Sequence, residues 1–435
     1  MVSCSDDDSF TTDAGALLSF SVDSVKMDTV FSGVATSTYS FWVYNRNKEG
    51  LRLPTVRLRQ GNQTGFRVNV DGSYLDNQRG SVVNDLEVRG GDSIRVFVEL
   101  TAAENGLDEP QLTEDDLLFH LESGVVQRVC LSAWAWDAVC MDSLVVSRDS
   151  LISSRKPIMV YGDIRVDSTA TLTIRSTRLF FHDKAGIDVY GTLLLDSVLL
   201  RGDRLDNMFD YLPYDRVSGQ WRGVHFFPSS TRNVLKNSEI RNATHALLVD
   251  SAALDTLEVR LAMDHCIVHN SKGAGLKAFN AFITLSYCQF TNMLEDCISV
   301  FGGLVGMDHC TLGQYYPFSA DRGVALRFQN FYNDYNYPLL LLQCTNSLVT
   351  GYADDEVMGN RRDSLAAYAY YFENSLLRTP AVSDTTNFRG IVWEDPKDEA
   401  MGKARFVLID EKNLKYDFHL VDSLETCREW GCYPL

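Results

Sequence analysis

Proline is scarce in this chain, with 10 among 435 residues, and no apolar run comes near the ~18 residues that a membrane-spanning helix needs. The first shortage leaves room for long stretches of hydrogen-bonded strand, and the second excludes a transmembrane helix within the sequence. Basic residues are outnumbered, 40 Lys and Arg against 58 Asp and Glu, for a formal charge of −18. That balance excludes nucleic acid as a partner, because releasing counterions from phosphates requires a Lys/Arg-rich face that the sequence never assembles. Histidine is sparse too, with 8 residues at no ligand spacing, and the 10 cysteines contain no CxxC pair, so no metal site is expected. A chain of this length holds two or three domains or one long repeat array. Plentiful Tyr, Phe, Val, Ile and Thr lean it towards strands.

Short alternating segments mark residues 13–145: Ser40-Phe41-Trp42-Val43-Tyr44, Gly65-Phe66-Arg67-Val68-Asn69-Val70 and Ser93-Ile94-Arg95-Val96-Phe97-Val98. Period-two patterning means strands with one buried face, and turn signals such as Asp71-Gly72 and Gly90-Gly91 separate them. This spacing predicts an antiparallel β-sandwich of Ig-like type, with Asn105 to Asp116 as an external loop. Trp134 and Trp136 read either as core residues or as a sugar platform.

From 146 to 385 an apolar residue, two variable residues and a small Ser, Thr or Cys recur. The small residues are Thr177, Ser197, Ser238, Cys266, Cys288, Cys310, Ser347 and Ser375, at intervals of 20, 41, 28, 22, 22, 37 and 28. A basic period of 22 interrupted by inserts is a solenoid signature. No apolar series at i, i+3, i+4 and i+7 supports helices, so each coil is expected to stack its strands on the next at about 4.8 Å. The expected fold is all-β: an N-terminal Ig-like sandwich followed by a right-handed parallel β-helix. Residues 386–435, with strands at 388–392, 405–409 and 415–420, would supply the last coils and a cap. Cys266, Cys288, Cys310 and Cys344 read as close-packed buried thiols. Cys130 with Cys140, and Cys427 with Cys432, are spaced for local disulfides.

Residues 1–12 open with Met1-Val2-Ser3-Cys4-Ser5-Asp6-Asp7-Asp8, which resembles the processed start of a bacterial lipoprotein, with Cys4 carrying the lipid. The acidic run after it is similar to the export signal of Bacteroidetes lipoproteins; the alternative is a solvated acidic tail. The segments 158–166, 170–174, 186–193 and 219–226 resemble the first coils of Bacteroidetes surface lipoproteins with right-handed parallel β-helix repeats. That resemblance runs from Cys4 to about His419. It implies the fold and an outer-membrane, cell-surface address through the lipid anchor, and no settled activity.

Two kinds of site are expected on such a rod. Asp264-His265 and Asp308-His309 occupy the same place two coils apart, and Asp296, Lys277 and Arg327, with Glu295, Asp321 and Arg322, come from nearby coils. They are the candidates for a polysaccharide lyase or glycoside hydrolase face, with Ca²⁺ as its only conceivable cofactor; solvated charges and turn caps are the alternative. The long intervals carry aromatic inserts, in which Tyr211, Tyr214, Trp221, Tyr315, Tyr316, Tyr332 and Tyr335 are candidates for stacking on sugars. Packing of those rings against the solenoid flank is the competing reading. The leading expectation is a non-catalytic surface protein that binds a glycan or host ligand along the β-helix.

Overall fold

The computed structural model describes residues 9–209, 211–362, 364–398, 402–421 and 429–433; Cys4 and Cys427 lie outside them. The chain divides into two compact units, Met1–Ala138 with Leu205–Tyr214, and Val139–Arg204 with Asp215–Leu435.

The first unit contains β1 (Ser19–Phe20), β2 (Ser24–Phe31), β3 (Tyr39–Tyr44), β4 (Leu51–Leu58) and β5 (Phe66–Val70), then β6 (Ser73–Tyr74), β7 (Val82–Val88), β8 (Ser93–Leu100), β9 (Gln111–His120) and β10 (Val126–Trp136). They form two five-stranded sheets, ordered β1-β3-β8-β5-β6 and β2-β10-β9-β4-β7. Alternation does the sorting: β8 buries Ile94, Val96, Val98 and Leu100 and turns Arg95 outward. Both sheets feed one core, in which Phe41, Val68 and Val96 meet Leu53, Phe119 and Leu131. Asp71 and Gly72, at φ 50 and 82, make the left-handed two-residue turn between β5 and β6.

Two expectations are corrected in this unit. The second sheet is mixed, because β2 runs parallel to β10. The external loop is shorter, because β9 begins at Gln111 and carries acids the composition assigns to solvent. Asp115 accepts from the Gln60 amide at 3.1 Å and the Thr64 hydroxyl at 2.8 Å, and Asp116 lies 2.8 Å from Arg59 and 3.2 Å from Arg128. Paired in this way, the carboxylates tolerate burial in a strand. The two tryptophans of β10 separate: Trp134 is 48% exposed, whereas Trp136 is buried and donates its indole N–H to the Asp108 carbonyl at 2.8 Å.

The second unit is built on a 26-stranded parallel sheet wound into coils, a parallel β-helix. Each coil contributes to three faces. On the first, Val160, Phe181, Val268, Phe290 and Leu312 point inward; on the second, Ile187, Val224, Leu276, Ile298 and Leu326; on the third, Leu195, Leu235, Leu285 and Met307. In-register pairing places like on like, Val268 on Phe290 and Leu285 on Met307, so the interior is a set of stacked aliphatic columns.

The bend from third to first face explains the repeat. One residue turns the corner in the left-handed region in coil after coil: Ser176, Ser197, Asn237, His265, Tyr287, His309, Asn346 and Asn374, with φ from 46 to 59. The next residue points inward, and in every one of these coils but one it is a small Thr, Ser or Cys. Where it is Ser or Cys it donates to the carbonyl two residues back, as Ser347 does to Thr345 at 2.6 Å and Cys288 to Ser286 at 3.2 Å. In the second copy the register differs from the sequence pattern by one: Thr177 stacks on Val198, so Ser197 occupies the left-handed position and Val198 the interior.

Cys266, Cys288 and Cys310 are buried free thiols in this column; Cys344, also buried and free, stacks instead on Met307 in the third-face column, and burial pushes it up to about 12. Cys130, Cys140 and Cys432 are free as well. Alkylation of native protein with iodoacetamide should therefore mark the exposed Cys140 and spare these four buried cysteines, which react only after unfolding; native modification of Cys288 or Cys310 would contradict this packing.

Glu356 is fully buried, with one carboxylate oxygen accepting from the Ala353 amide and the other from Ala325, each at 2.8 Å. Burial outweighs those bonds and raises its pKa from 4.5 to about 8. A carboxyl raised in the folded state stabilises fully below its unfolded value, so stability is lost as pH climbs from 4.5 towards 8. The loss is on the order of a few kcal/mol. Thermal melts should fall over this window, and Glu356→Gln should flatten the slope.

Phe388–Arg389 and Val392–Trp393 form the last coil. Phe406–Asp410 and Lys415–Leu420 do not extend the stack: they pair with each other as an antiparallel hairpin that lies on the outer side of the first face. Phe406, Phe418 and Leu420 pack there on Tyr315, Leu348 and Leu376. Gly313 makes the approach possible, since a Cβ would stand 2.9 Å from the Phe418 ring. Cys432 fastens the following segment through its amide to Thr311 Oγ1 at 3.1 Å.

Candidate functional site

The hairpin leaves a recess of about 280 Å³ against the first face. Strands Glu239–Arg241, Ile267–His269 and Gln289–Thr291 stack there in register. Ile240, Val268 and Phe290 face the core, so period-two geometry turns Glu239, Arg241, His269, Gln289 and Thr291 outward beneath the hairpin. Tyr416, Asp417 and His419 face them from Lys415–Leu420, and Arg216 and Tyr433 complete the wall.

The polar groups form an ordered relay. Gln289 Nε2 donates to Thr291 Oγ1 at 2.9 Å, and the same oxygen lies 2.8 Å from His269 Nδ1, so one hydroxyl fixes both side chains. Burial, and then the Arg241 and Arg216 charges, lower the pKa of His269 to about 3 and keep the ring neutral. His269 is only 6% exposed, yet among the described residues no group meets Nε2 and none meets Gln289 Oε1. His269 Nε2 and Gln289 Oε1, one a ring nitrogen and the other an acceptor, therefore line the recess on side chains held by the same hydroxyl.

Beneath them three guanidiniums share Asp215: Arg201 at 2.9 Å, Arg241 at 3.2 Å and Arg216 at 3.5 Å. Burial pulls the Asp215 carboxyl upward, but the three cations outweigh it and hold it below the usual carboxylate range. Arg241 also binds Glu239. On the opposite wall Asp417 lies 2.6 Å from His419 Nδ1, and the His419 ring stacks on Tyr433 at 3.9 Å. Tyr416 inclines over His269, with 5.8 Å between centroids. The recess thus combines aromatic walls with convergent donors and acceptors.

The sequence candidates lie elsewhere, and the structure distributes the proposed catalytic face over two sides of the coil. Lys277 and Arg327 stand two rungs apart on the second face, joined through Ser299. Asp296, in the turn before that face, is committed to Arg327 Nε at 2.7 Å, Ser299 Oγ at 2.6 Å and the Val324 amide at 2.9 Å. Asp264 and Asp308 end strands of the third face, two rungs apart through Ser286. Asp308 is engaged at both oxygens, by Thr345 and Asn346 and by His309. Burial raises this carboxyl, but those bonds prevail and hold it low. The rings of His265, Tyr287 and His309 stack in one column at 4.8 and 4.7 Å, which presents their edges and not their faces to solvent.

Among the aromatic candidates, Trp221 and Tyr315 are core residues. Trp221 stacks on Phe181 at 4.3 Å and donates to the Arg241 carbonyl at 2.7 Å; Tyr315 belongs to the cluster under the hairpin. Tyr316 is buried with its hydroxyl 3.0 Å from Ser218 Oγ. Tyr332 is half-buried edge-on to Phe301 at 4.6 Å. Tyr214 is half-buried in the first unit, and only Tyr211 and Tyr335 are freely presented, at 78% and 69% exposure.

None of the residues lining the recess is a sequence candidate. One signal pointed there: Arg241-Asn242, His269-Asn270 and Thr291-Asn292 repeat a polar residue before a buried left-handed asparagine, at the solenoid's own spacing.

With this geometry the second unit is an all-β parallel solenoid protein carrying a polar recess on one flank. No protein-family model matches the chain, and no curated protein does. Among solved structures it is similar to the mannuronan C-5 epimerase A-module of Azotobacter vinelandii, at 10% identity over 60% of this chain and 90% of that one, TM-score 0.28. It is also similar to the catalytic unit of a GH87 alpha-1,3-glucanase from Streptomyces thermodiastaticus, at 10% identity over 83% and 90%, TM-score 0.28. A PapD-like domain of human CEP192 aligns at 12% identity over 28% and 87%, TM-score 0.19. At this level of similarity no residue role transfers to this chain.

Proposed function

We propose that this is a non-catalytic glycan-binding protein of the cell surface, held at the outer membrane by lipid on Cys4, with an Ig-like first unit and a right-handed β-helix. The ligand site is the recess under the C-terminal hairpin. The observation that carries the reading is the pair His269 Nε2 and Gln289 Oε1, on nearly buried side chains held by Thr291 and facing the recess. Sugar hydroxyls donate and accept from adjacent positions, and the Tyr416 ring beside the pair offers an apolar face for the sugar's C–H groups.

Purified protein on a glycan array should bind a defined set of saccharides, with binding lost in a His269→Ala/Gln289→Ala variant and kept in Tyr332→Ala/Tyr335→Ala. No binding by wild type, or equal binding by the first variant, overturns the reading. Labelling of the full-length protein in cells with a palmitate analogue tests the anchor: label should appear in wild type and vanish in Cys4→Ala.

A further inference from the structure

Accepting the glycan reading of the recess, we infer that its ligand is an uncharged saccharide, a hexose-type unit without carboxylate or sulfate. The inference follows from charge balance at the site. The guanidiniums of Arg201, Arg216 and Arg241 are equalled in number by the carboxylates of Asp215 and Glu239, which bind them, and of Asp417 across the recess. Asp215 alone offsets one of these charges, Glu239 on Arg241 a second, and the balance is completed only by Asp417 on the opposite wall. His269, nearly buried, carries no charge. An anionic sugar would be desolvated beside Glu239 and Asp417 with no unmatched cation to receive it, and the chain's formal charge of −18 opposes its approach. A neutral ring loses nothing of this kind. Its hydroxyls can both donate and accept and so can bond His269 Nε2 and Gln289 Oε1 together, whereas a carboxylate or sulfate oxygen has no hydrogen to give to Gln289 Oε1.

Isothermal titration of the full chain with neutral hexose oligosaccharides and with uronate oligosaccharides of equal length tests this. Wild type should prefer the neutral series by about tenfold or more, the size expected when like charges are forced together. Glu239→Gln leaves one guanidinium charge unmatched and should raise uronate affinity severalfold. Asp417→Asn, on the opposite wall, does the same without touching the arginine cluster and serves if Glu239→Gln fails to fold. A wild-type preference for uronates, or an unchanged preference in both folded variants, overturns the charge argument while leaving glycan binding intact. Absence of binding to either series removes the glycan reading itself.

Discussion

Removing His269 and Gln289 together is expected to weaken saccharide binding by about 30- to 150-fold, the worth of two neutral hydrogen bonds at about 1 to 1.5 kcal/mol each. The effect is large because neither group can be replaced by water held in the same place: His269 is nearly enclosed, and its orientation is set by Thr291, itself fixed by Gln289. Thr291→Val supplies the matching control. It keeps the shape and removes the hydroxyl that holds both His269 and Gln289, so affinity should fall by a smaller factor without loss of the fold. Titration calorimetry on the three variants separates a lost contact from a lost orientation. Equal affinity in all of them would mean the relay has nothing to do with the ligand.

The largest stability effect is expected at Trp221. Its ring is buried against Phe181 within the β-helix core and its N–H is bonded to the Arg241 carbonyl, so Trp221→Ala opens a cavity and leaves that carbonyl unpaired. Large-to-small changes of this kind cost about 3 to 5 kcal/mol. Tyr335→Ala, at a ring that is mostly in solvent, should stay within about 0.5 kcal/mol of wild type. Denaturant titration of both proteins distinguishes these roles. A Trp221→Ala protein of native stability would contradict the packing and restore Trp221 as a surface residue.

The solenoid was legible because one stereochemical demand recurs in every coil. A left-handed corner followed by a small inward residue leaves Asn-Ser or His-Cys at a fixed place, as at Asn346-Ser347 and His265-Cys266. The same demand misleads where the corner itself is a small residue, which is why Ser197 and not Val198 satisfies the pattern by eye. Acid-rich β9 was hidden because Asp115 and Asp116 find their partners on Gln60, Thr64, Arg59 and Arg128, none of them local in sequence except Arg128 across the hairpin. Aromatic content overstated binding surface: Trp221 and Tyr315 read like a sugar platform but fill core positions created by the coil and by the hairpin. The recess could not be read for a related reason. It exists only because Lys415–Leu420 folds back onto strands that begin at Glu239, and no local pattern announces that Phe418 docks on Gly313.

Hydrogen–deuterium exchange of the full chain, with and without a saturating neutral oligosaccharide selected on the array, measures most directly where the ligand rests. Slowed exchange confined to 239–241, 267–269, 289–291 and 415–420 is the predicted outcome. Protection at the exposed hairpin 331–336 or along the third face near Asp264 and Asp308, with the recess unchanged, would place the ligand elsewhere and contradict the account.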